Sequence, residues 1–107
     1  MKRLVFVCAA ALTLAASAEV PYRLGMAGFS FWKTPLEKSL ETMKTIDCHY
    51  LCVKDFHLPL NADEDRIAAF QAKCKAAGVE TRALGPVYFT GWGPSRQLFE
   101  QAKKMGV

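Results

Sequence analysis

The chain has 107 residues with a formal net charge of +4 at pH 7, and 51% of its residues are hydrophobic. This length suits a single domain. Basic and acidic residues are interleaved without a basic block, which argues against a nucleic-acid partner.

The first 18 residues have the pattern of a secretory signal. Met1–Arg3 is a short basic segment, Leu4–Ala16 is almost wholly apolar, and Ala16–Ala18 fits the small-x-small pattern of a signal peptidase site. An apolar run of about 13 residues is too short for a spanning helix, which needs about 20. We therefore predict an exported protein, periplasmic or extracellular, with no stable membrane anchor once the signal is removed.

Three strands are predicted in the remaining segment, residues 19–107. Stretches rich in apolar, β-branched and aromatic residues favour strands at Tyr22–Phe31, Tyr50–His57 and Val79–Phe89. Gly25 and Gly28 interrupt the first of them, which is typical of a place where a sheet bends or where another backbone or a ligand comes close.

A helix is predicted after each strand. The first begins at Thr34-Pro35 with Glu37 completing a capping box, the second begins at Asn61, and the third begins at Ser95. Apolar residues at helical spacing indicate one buried face per helix: Leu36, Leu40 and Met43; Ile67, Phe70, Cys74 and Ala77; Leu98, Ala102 and Met105.

The last two helices end in the same way. Gly78 and Gly106 each follow a basic and apolar turn, and each precedes a valine. Glycine at this position predicts a left-handed helix closure. Their separation of 28 residues indicates a repeated strand–helix unit.

Three such units joined by right-handed crossovers predict an α/β fold with a parallel three-stranded sheet. We interpret this as a partial (β/α)8 TIM barrel, and Val107 stands where a fourth strand would begin. The expectation is a truncated product or a chain that needs a partner. Open sheet edges would allow self-association.

Three cysteines follow the signal: Cys48, Cys52 and Cys74. An odd number in an exported chain argues against a complete disulfide framework. The CxxxC spacing of the first two is not that of a redox or metal pair. All three are expected to be small buried or half-buried hydrophobic residues.

Ionisable residues gather where the second strand ends. Lys54, Asp55 and His57 follow an apolar run, and the carboxyl ends of parallel strands are where ligands bind in α/β folds. In a regular strand Lys54 and Asp55 would point to opposite sides, whereas Asp55 and His57 would share one. Lys54 is predicted either to bind an anionic group or to form an ion pair with a neighbouring strand. His57 is predicted either to face a ligand or to bond a nearby backbone group.

Aromatic residues follow the first and third strands. Tyr88, Phe89 and Trp92 lie after the third, and Phe31 and Trp32 lie at the matching place after the first. Two interpretations stay open: these rings stack on the apolar face of a sugar, or they cover the top of a barrel.

Several of these stretches resemble the exported sugar phosphate isomerase/epimerase proteins of the xylose-isomerase-like TIM barrel superfamily. The resemblance lies in Leu24–Phe31, Tyr50–Leu60 and Ala76–Val79, within an alignment of Tyr22–Val107 with the first three βα units. It implies that residues 19–107 are the N-terminal part of such a barrel.

The resemblance also implies a reaction. Members of the family isomerise or epimerise sugars by proton transfer next to a carbonyl, using a divalent metal held by carboxylates and a histidine. The metal ligands and catalytic glutamates lie mainly on later strands that this sequence does not contain. The 107-residue chain alone is therefore expected to be inactive, and no catalytic residue is assigned.

The partner implied by this family is a sugar or a sugar phosphate. The expected substrate side is lined by Ser30, Lys54, Asp55, His57 and Tyr88, and His57 is the candidate metal ligand. Two other functions stay open. One is a non-catalytic carbohydrate-binding or assembly fragment. The other is phosphodiester hydrolysis, because a related branch takes metal-binding histidines from early strands.

Overall fold

The structure is a computed structural model that describes residues 21–107, so the signal predicted at Met1–Ala18 lies outside the described residues. No helix within 21–107 is both long and apolar enough to cross a membrane. The elements in chain order are β1 (Gly25–Ala27), a short 3-10 helix (Gly28–Phe31), α1 (Leu36–Thr45), β2 (Tyr50–Val53), α2 (Glu64–Ala76), β3 (Glu80–Leu84) and α3 (Trp92–Met105).

The three strands form one parallel sheet in the order β1-β2-β3. Gly25 pairs with Tyr50, which pairs with Glu80, so the strands begin at the same level. Between Leu51 and Cys52 the register shifts, and Arg82 is the extra residue on β3. The predicted α/β fold with a parallel three-stranded sheet is therefore confirmed.

One face of the sheet carries the core. Side chains alternate across a strand, and β2 buries Leu51 and Val53 while Tyr50 and Cys52 remain half-buried. Leu51 and Val53 belong to a core that also contains the buried faces of the helices: Leu40, Met43, Ile67, Phe70, Cys74 and Met105. On the opposite face Gly25, Ala27 and Ala83 are exposed.

The predicted apolar helix faces are confirmed. Ile67, Phe70 and Cys74 of α2 are buried, as are Leu98 and Met105 of α3. Because these positions recur every three or four residues, each helix presents a single apolar stripe to the sheet and to its neighbouring helix.

Both glycine closures are confirmed as well. Gly78 and Gly106 have φ values of 69° and 74°. The N–H of Val79 donates to the Cys74 carbonyl at 2.9 Å, and the N–H of Val107 donates to the Ala102 carbonyl at 3.0 Å. These bonds satisfy carbonyls that the helix leaves free at its end.

The predicted helix caps are wrong in detail. Pro35 occupies the cap of α1 without any side-chain cap bond, so Thr34 does not cap it. At α2 the cap is Asp63 instead of Asn61, and its Oδ1 accepts from the Arg66 N–H at 2.8 Å. An extended backbone at the cap residue is what lets a short carboxylate reach that amide.

The third helix begins earlier than predicted. α3 starts at Trp92 after Gly91, which places Ser95 inside the first turn. The Ser95 hydroxyl donates to the Gly91 carbonyl at 2.7 Å. Pro94 is compatible with this start because the first-turn amides of a helix have no intrahelical partner.

All three strands are shorter than predicted, although β2 begins at Tyr50 as expected. The first prediction, Tyr22–Phe31, covers a strand of three residues followed by the 3-10 helix, and the third, Val79–Phe89, shortens to Glu80–Leu84. β2 ends at Val53 because the Lys54 carbonyl accepts the N–H groups of His57 and Leu58, at 3.0 and 3.1 Å, and so closes a turn.

The cysteine prediction is confirmed, since Cys74 is buried and Cys48 and Cys52 are half-buried, all as free thiols. Burial raises the pKa of the Cys74 thiol to about 11. At pH 8 only about one Cys74 in a thousand is then a thiolate, the form that reacts.

We expect iodoacetamide to label Cys74 far more slowly than Cys48 at pH 8, and at a similar rate in 8 M urea. Peptide-level mass spectrometry measures both rates, and equal rates in the native protein would contradict the prediction.

Candidate functional site

A cleft of about 200 Å³ opens at the carboxyl ends of β2 and β3. Lys54, Asp55 and Tyr88, three of the predicted site residues, line it. Its other walls are mainly apolar: Val53, Leu58, Leu60, Leu84, Pro86 and Val87. Ser30 and His57 do not line this cleft. The carboxyl ends of the strands, where the sequence predicts a site, therefore do form a cleft.

Lys54 lines the cleft and is largely buried. Its side chain is only 18% exposed, its Nζ donates to the Pro86 carbonyl at 3.1 Å, and the same atom is 3.5 Å from Asp55 Oδ1. The prediction that Lys54 and Asp55 point to opposite sides is wrong, because the strand ends at Val53 and both residues lie beyond it. The ion pair forms between neighbours in sequence, and the amine ties the end of β2 to the segment after β3.

His57 lies in the turn that follows β2, and its side chain faces the start of α1. Its Nε2 is 2.8 Å from the Thr34 carbonyl, so Nε2 is the donor, and it is 3.5 Å from the Ser39 hydroxyl. The Nδ1 is buried and has no partner within residues 21–107. The imidazole also packs edge-to-face with the Phe56 ring, and the two ring centroids are 4.7 Å apart.

The geometry of His57 corrects one expectation. Asp55 does not share a strand face with His57, because the chain turns after Val53. The bond to Thr34 is the backbone contact expected by one of the two interpretations, and it joins the turn after β2 to the segment that leads into α1. Within residues 21–107, no three His, Cys, Asp or Glu side chains are grouped so as to hold a metal.

The two aromatic residues predicted to follow the first strand have different environments. Phe31 is buried in the core, and it is Phe29 that stacks on Trp32, with ring centroids 6.1 Å apart. The Lys33 Nζ lies 4.7 Å from the centre of the Trp32 ring. Ser30 is exposed in the same 3-10 helix.

The aromatic residues after β3 face solvent. Tyr88 is 87% exposed and Trp92 is 81% exposed, whereas Phe89 stacks on Phe99 with ring centroids 6.0 Å apart. The sequence-based prediction missed Phe99, although its place next to the buried Leu98 puts it off the apolar stripe of α3. Exposed rings therefore flank the strand ends at both sides of the sheet.

Gly28 holds the 3-10 helix against the end of β2. A Cβ at this position would overlap the Cys52 carbonyl oxygen and would lie 3.1 Å from the Lys54 nitrogen. This close backbone approach is the reason for glycine that the sequence predicts. It places the segment containing Ser30 directly beside the cleft residue Lys54.

At the opposite end of β2, His49 bridges two turns. Its Nδ1 lies 3.0 Å from the Gly78 carbonyl, and its Nε2 lies 2.8 Å from Asp47 Oδ1. Both partners are acceptors, so both ring nitrogens donate only when the imidazole is protonated. These contacts raise the pKa of His49 above its ordinary value of 6.5; the bond to the Gly78 carbonyl has the largest effect, and the bond to Asp47 has the next largest.

We expect a pH dependence of stability from His49. A raised pKa in the folded state means that the stabilisation is complete below the unfolded pKa near 6.5 and is lost as the pH rises through the folded pKa. Urea unfolding between pH 5 and pH 9 should therefore show a loss of stability toward pH 9 that is smaller in His49→Gln. An identical pH profile in the two proteins would contradict the prediction.

No protein-family model matches this chain, and no curated protein matches it either. The fold and the site define its class as an α/β protein of three βα units, with a parallel sheet and a polar and aromatic cleft at the carboxyl ends of the strands.

Proposed function

We propose that this chain is the N-terminal part of a xylose-isomerase-like (β/α)8 barrel that binds a sugar at the carboxyl ends of its strands. In such a barrel the helices cover the outer face of the sheet, and the inner face is enclosed by further strands. The helix-covered face at Leu51 and the exposed face at Gly25 and Ala27 are consistent with this arrangement.

The observation that carries the proposal is the cleft that brings Lys54, Asp55 and Tyr88 together. An ammonium donates to a sugar hydroxyl, a carboxylate accepts from one, and an exposed aromatic ring packs against the apolar face of the sugar. Apolar walls with a few convergent polar groups are the usual make-up of a small-molecule site.

In the complete barrel the proposed reaction is isomerisation or epimerisation of a sugar, and a bound divalent metal would supply Lewis-acid stabilisation of negative charge. Residues 21–107 contain no group of three His, Cys, Asp or Glu side chains that could hold a metal. His57 directs Nε2 to the Thr34 carbonyl, and its Nδ1 is buried. We therefore assign no step through a metal to this chain, and a metal role for His57 would require its buried Nδ1, the ring nitrogen that is left as an acceptor, to become accessible.

Sugar binding is tested by titrating the purified, 15N-labelled chain with a panel of aldoses, ketoses and their phosphates. We expect the amide signals of Lys54, Asp55 and Tyr88 to shift, and Lys54→Met to weaken the response about tenfold. The matched control is Lys38→Met, because Lys38 is an exposed residue of α1 that pairs with Glu41. Shifts confined to residues outside the cleft would refute the site.

The barrel and its reaction are tested in the DNA past the Val107 codon. An open frame that encodes further βα units with acidic residues and a histidine at the strand ends supports the proposal. The encoded protein is then assayed for aldose–ketose interconversion and epimerisation with and without Mg²⁺ or Mn²⁺. Absence of turnover on the whole sugar panel would contradict the enzymatic part.

A second candidate is a carbohydrate-binding module without catalysis. It is favoured by the exposed rings of Trp32, Tyr88 and Trp92, since exposed aromatic residues bind sugars by stacking. The outer edges of β1 and β3 have no partner strand within residues 21–107, which would suit assembly. Binding without turnover, together with a mass in solution larger than one chain, would favour this candidate over the enzyme.

A further inference from the structure

We infer that the cleft at the ends of β2 and β3 takes a neutral sugar and discriminates against a sugar phosphate. This inference rests on the proposed function, because it specifies the chemical class of the ligand in the same cleft. It follows from the charge balance of the lining, from the hydrogen bonds that Lys54 already makes, and from the apolar walls.

The charges of the lining cancel. Among residues 21–107, the cleft is lined by one basic side chain, Lys54, and one acidic side chain, Asp55. The two charges are 3.5 Å apart, so a ligand in the cleft meets an ion pair in place of a surplus positive charge. Phosphate carries close to two negative charges at pH 7 and is usually bound by an excess of cationic or backbone N–H donors.

Two contacts within the protein already occupy the Lys54 amine. An ammonium has three N–H donors. One is given to the Pro86 carbonyl, and the Asp55 carboxylate lies close to the same nitrogen. The N–H donor that remains suits one hydroxyl group of a sugar. Reorganising both contacts to bind a dianion would break the link between the ends of β2 and β3.

Asp55 strengthens the discrimination. Its side chain is 58% exposed and lines the cleft, so it presents an acceptor to a hydroxyl and a repulsive charge to a phosphate. Apolar walls such as Leu58, Leu84 and Val87 pack against the C–H face of a sugar, but their side chains donate no hydrogen bond to a phosphate.

The test compares D-glucose with D-glucose 6-phosphate, and D-fructose with D-fructose 6-phosphate, on the purified chain. Amide shifts of Lys54, Asp55, Val87 and Tyr88 report binding. We expect each phosphate ester to bind at least about fivefold more weakly than its neutral sugar. Raising NaCl from 20 to 200 mM should change the neutral sugar's affinity by less than about twofold, because no net charge is involved.

The outcomes separate this inference from the proposed function. Tighter binding of the esters at the same amides, or shifts of those amides by inorganic phosphate alone, would overturn the inference and leave sugar binding intact. No response of those amides to any sugar or ester would overturn both.

Asp55→Asn tests the charge argument directly. The substitution leaves the lining with a net positive charge, so the affinity for the phosphate esters should rise about threefold or more while that for the neutral sugars falls. Asp65→Asn is the matched control, because Asp65 lies in the first turn of α2 and does not line the cleft. Unchanged ester affinity in Asp55→Asn, with its amide spectrum otherwise preserved, would also overturn the inference.

Discussion

Gly28→Ala is expected to destabilise the protein by about 3 kcal/mol, near the upper end of the usual cost of overpacking. The added methyl would overlap the Cys52 carbonyl oxygen and would press on the Lys54 backbone. The Cys52 carbonyl belongs to the middle strand of the sheet and cannot move aside cheaply, so the 3-10 helix has to shift away from the end of β2. Urea unfolding measures the loss, and the amide of Lys54 should shift in the spectrum of the folded variant.

Gly93→Ala is the matched control for this prediction. Gly93 lies in the first turn of α3, and apart from its chain neighbours and the backbone of its own helix nothing lies within 4 Å of a Cβ built there. Alanine in a helix is favoured over glycine by up to about 1 kcal/mol, whereas Pro94 disfavours a helical conformation of a non-glycine residue before it. The two effects oppose each other, so this variant should change the stability by less than about 1 kcal/mol. Equal losses in Gly28→Ala and Gly93→Ala would show that the approach of the 3-10 helix to β2 is not tight.

The second large effect is expected at the centre of the sheet. Leu51 is 1% exposed on the middle strand and belongs to the core cluster. Leu51→Ala removes buried methyl groups and leaves a cavity between the sheet and the helices, which should cost about 3 kcal/mol. For a domain of this size that is a large part of the total stability. The measurement is the free energy of unfolding in urea.

Leu24→Ala isolates the effect of burial because the chemical change is the same. Leu24 precedes β1 and is 72% exposed, so its truncation should cost less than about 0.5 kcal/mol. A difference of less than about 1 kcal/mol between the two variants would contradict the assignment of the core to the helix-covered face.

Helix faces and helix closures could be predicted from local sequence. The stripe of Ile67, Phe70 and Cys74 follows from a period of 3.6 residues, and the closure at Gly78 follows from the conformational freedom of glycine. Both depend on neighbours within one or two turns. The parallel order of the strands was also accessible, because a helix between successive strands brings the chain back to the same end.

Strand ends and side-chain directions were less accessible. The sequence-based prediction continues β2 to His57, but the Lys54 carbonyl takes two amides and ends the strand four residues earlier. Every argument from alternation beyond Val53 fails for that reason. Phe31 is a similar case, because the 3-10 helix turns it into the core and leaves Phe29 to stack on Trp32.

Local sequence was enough to predict three strand–helix units, their apolar faces and the gathering of Lys54, Asp55 and His57 after the second strand, because these features depend on periodicity and on residues close together in the chain. The folded chain was needed to show that Lys54 and Asp55 share a cleft with Tyr88 while His57 turns to Thr34. Those partners lie more than 20 residues away in sequence, and the packing of separate elements brings them together.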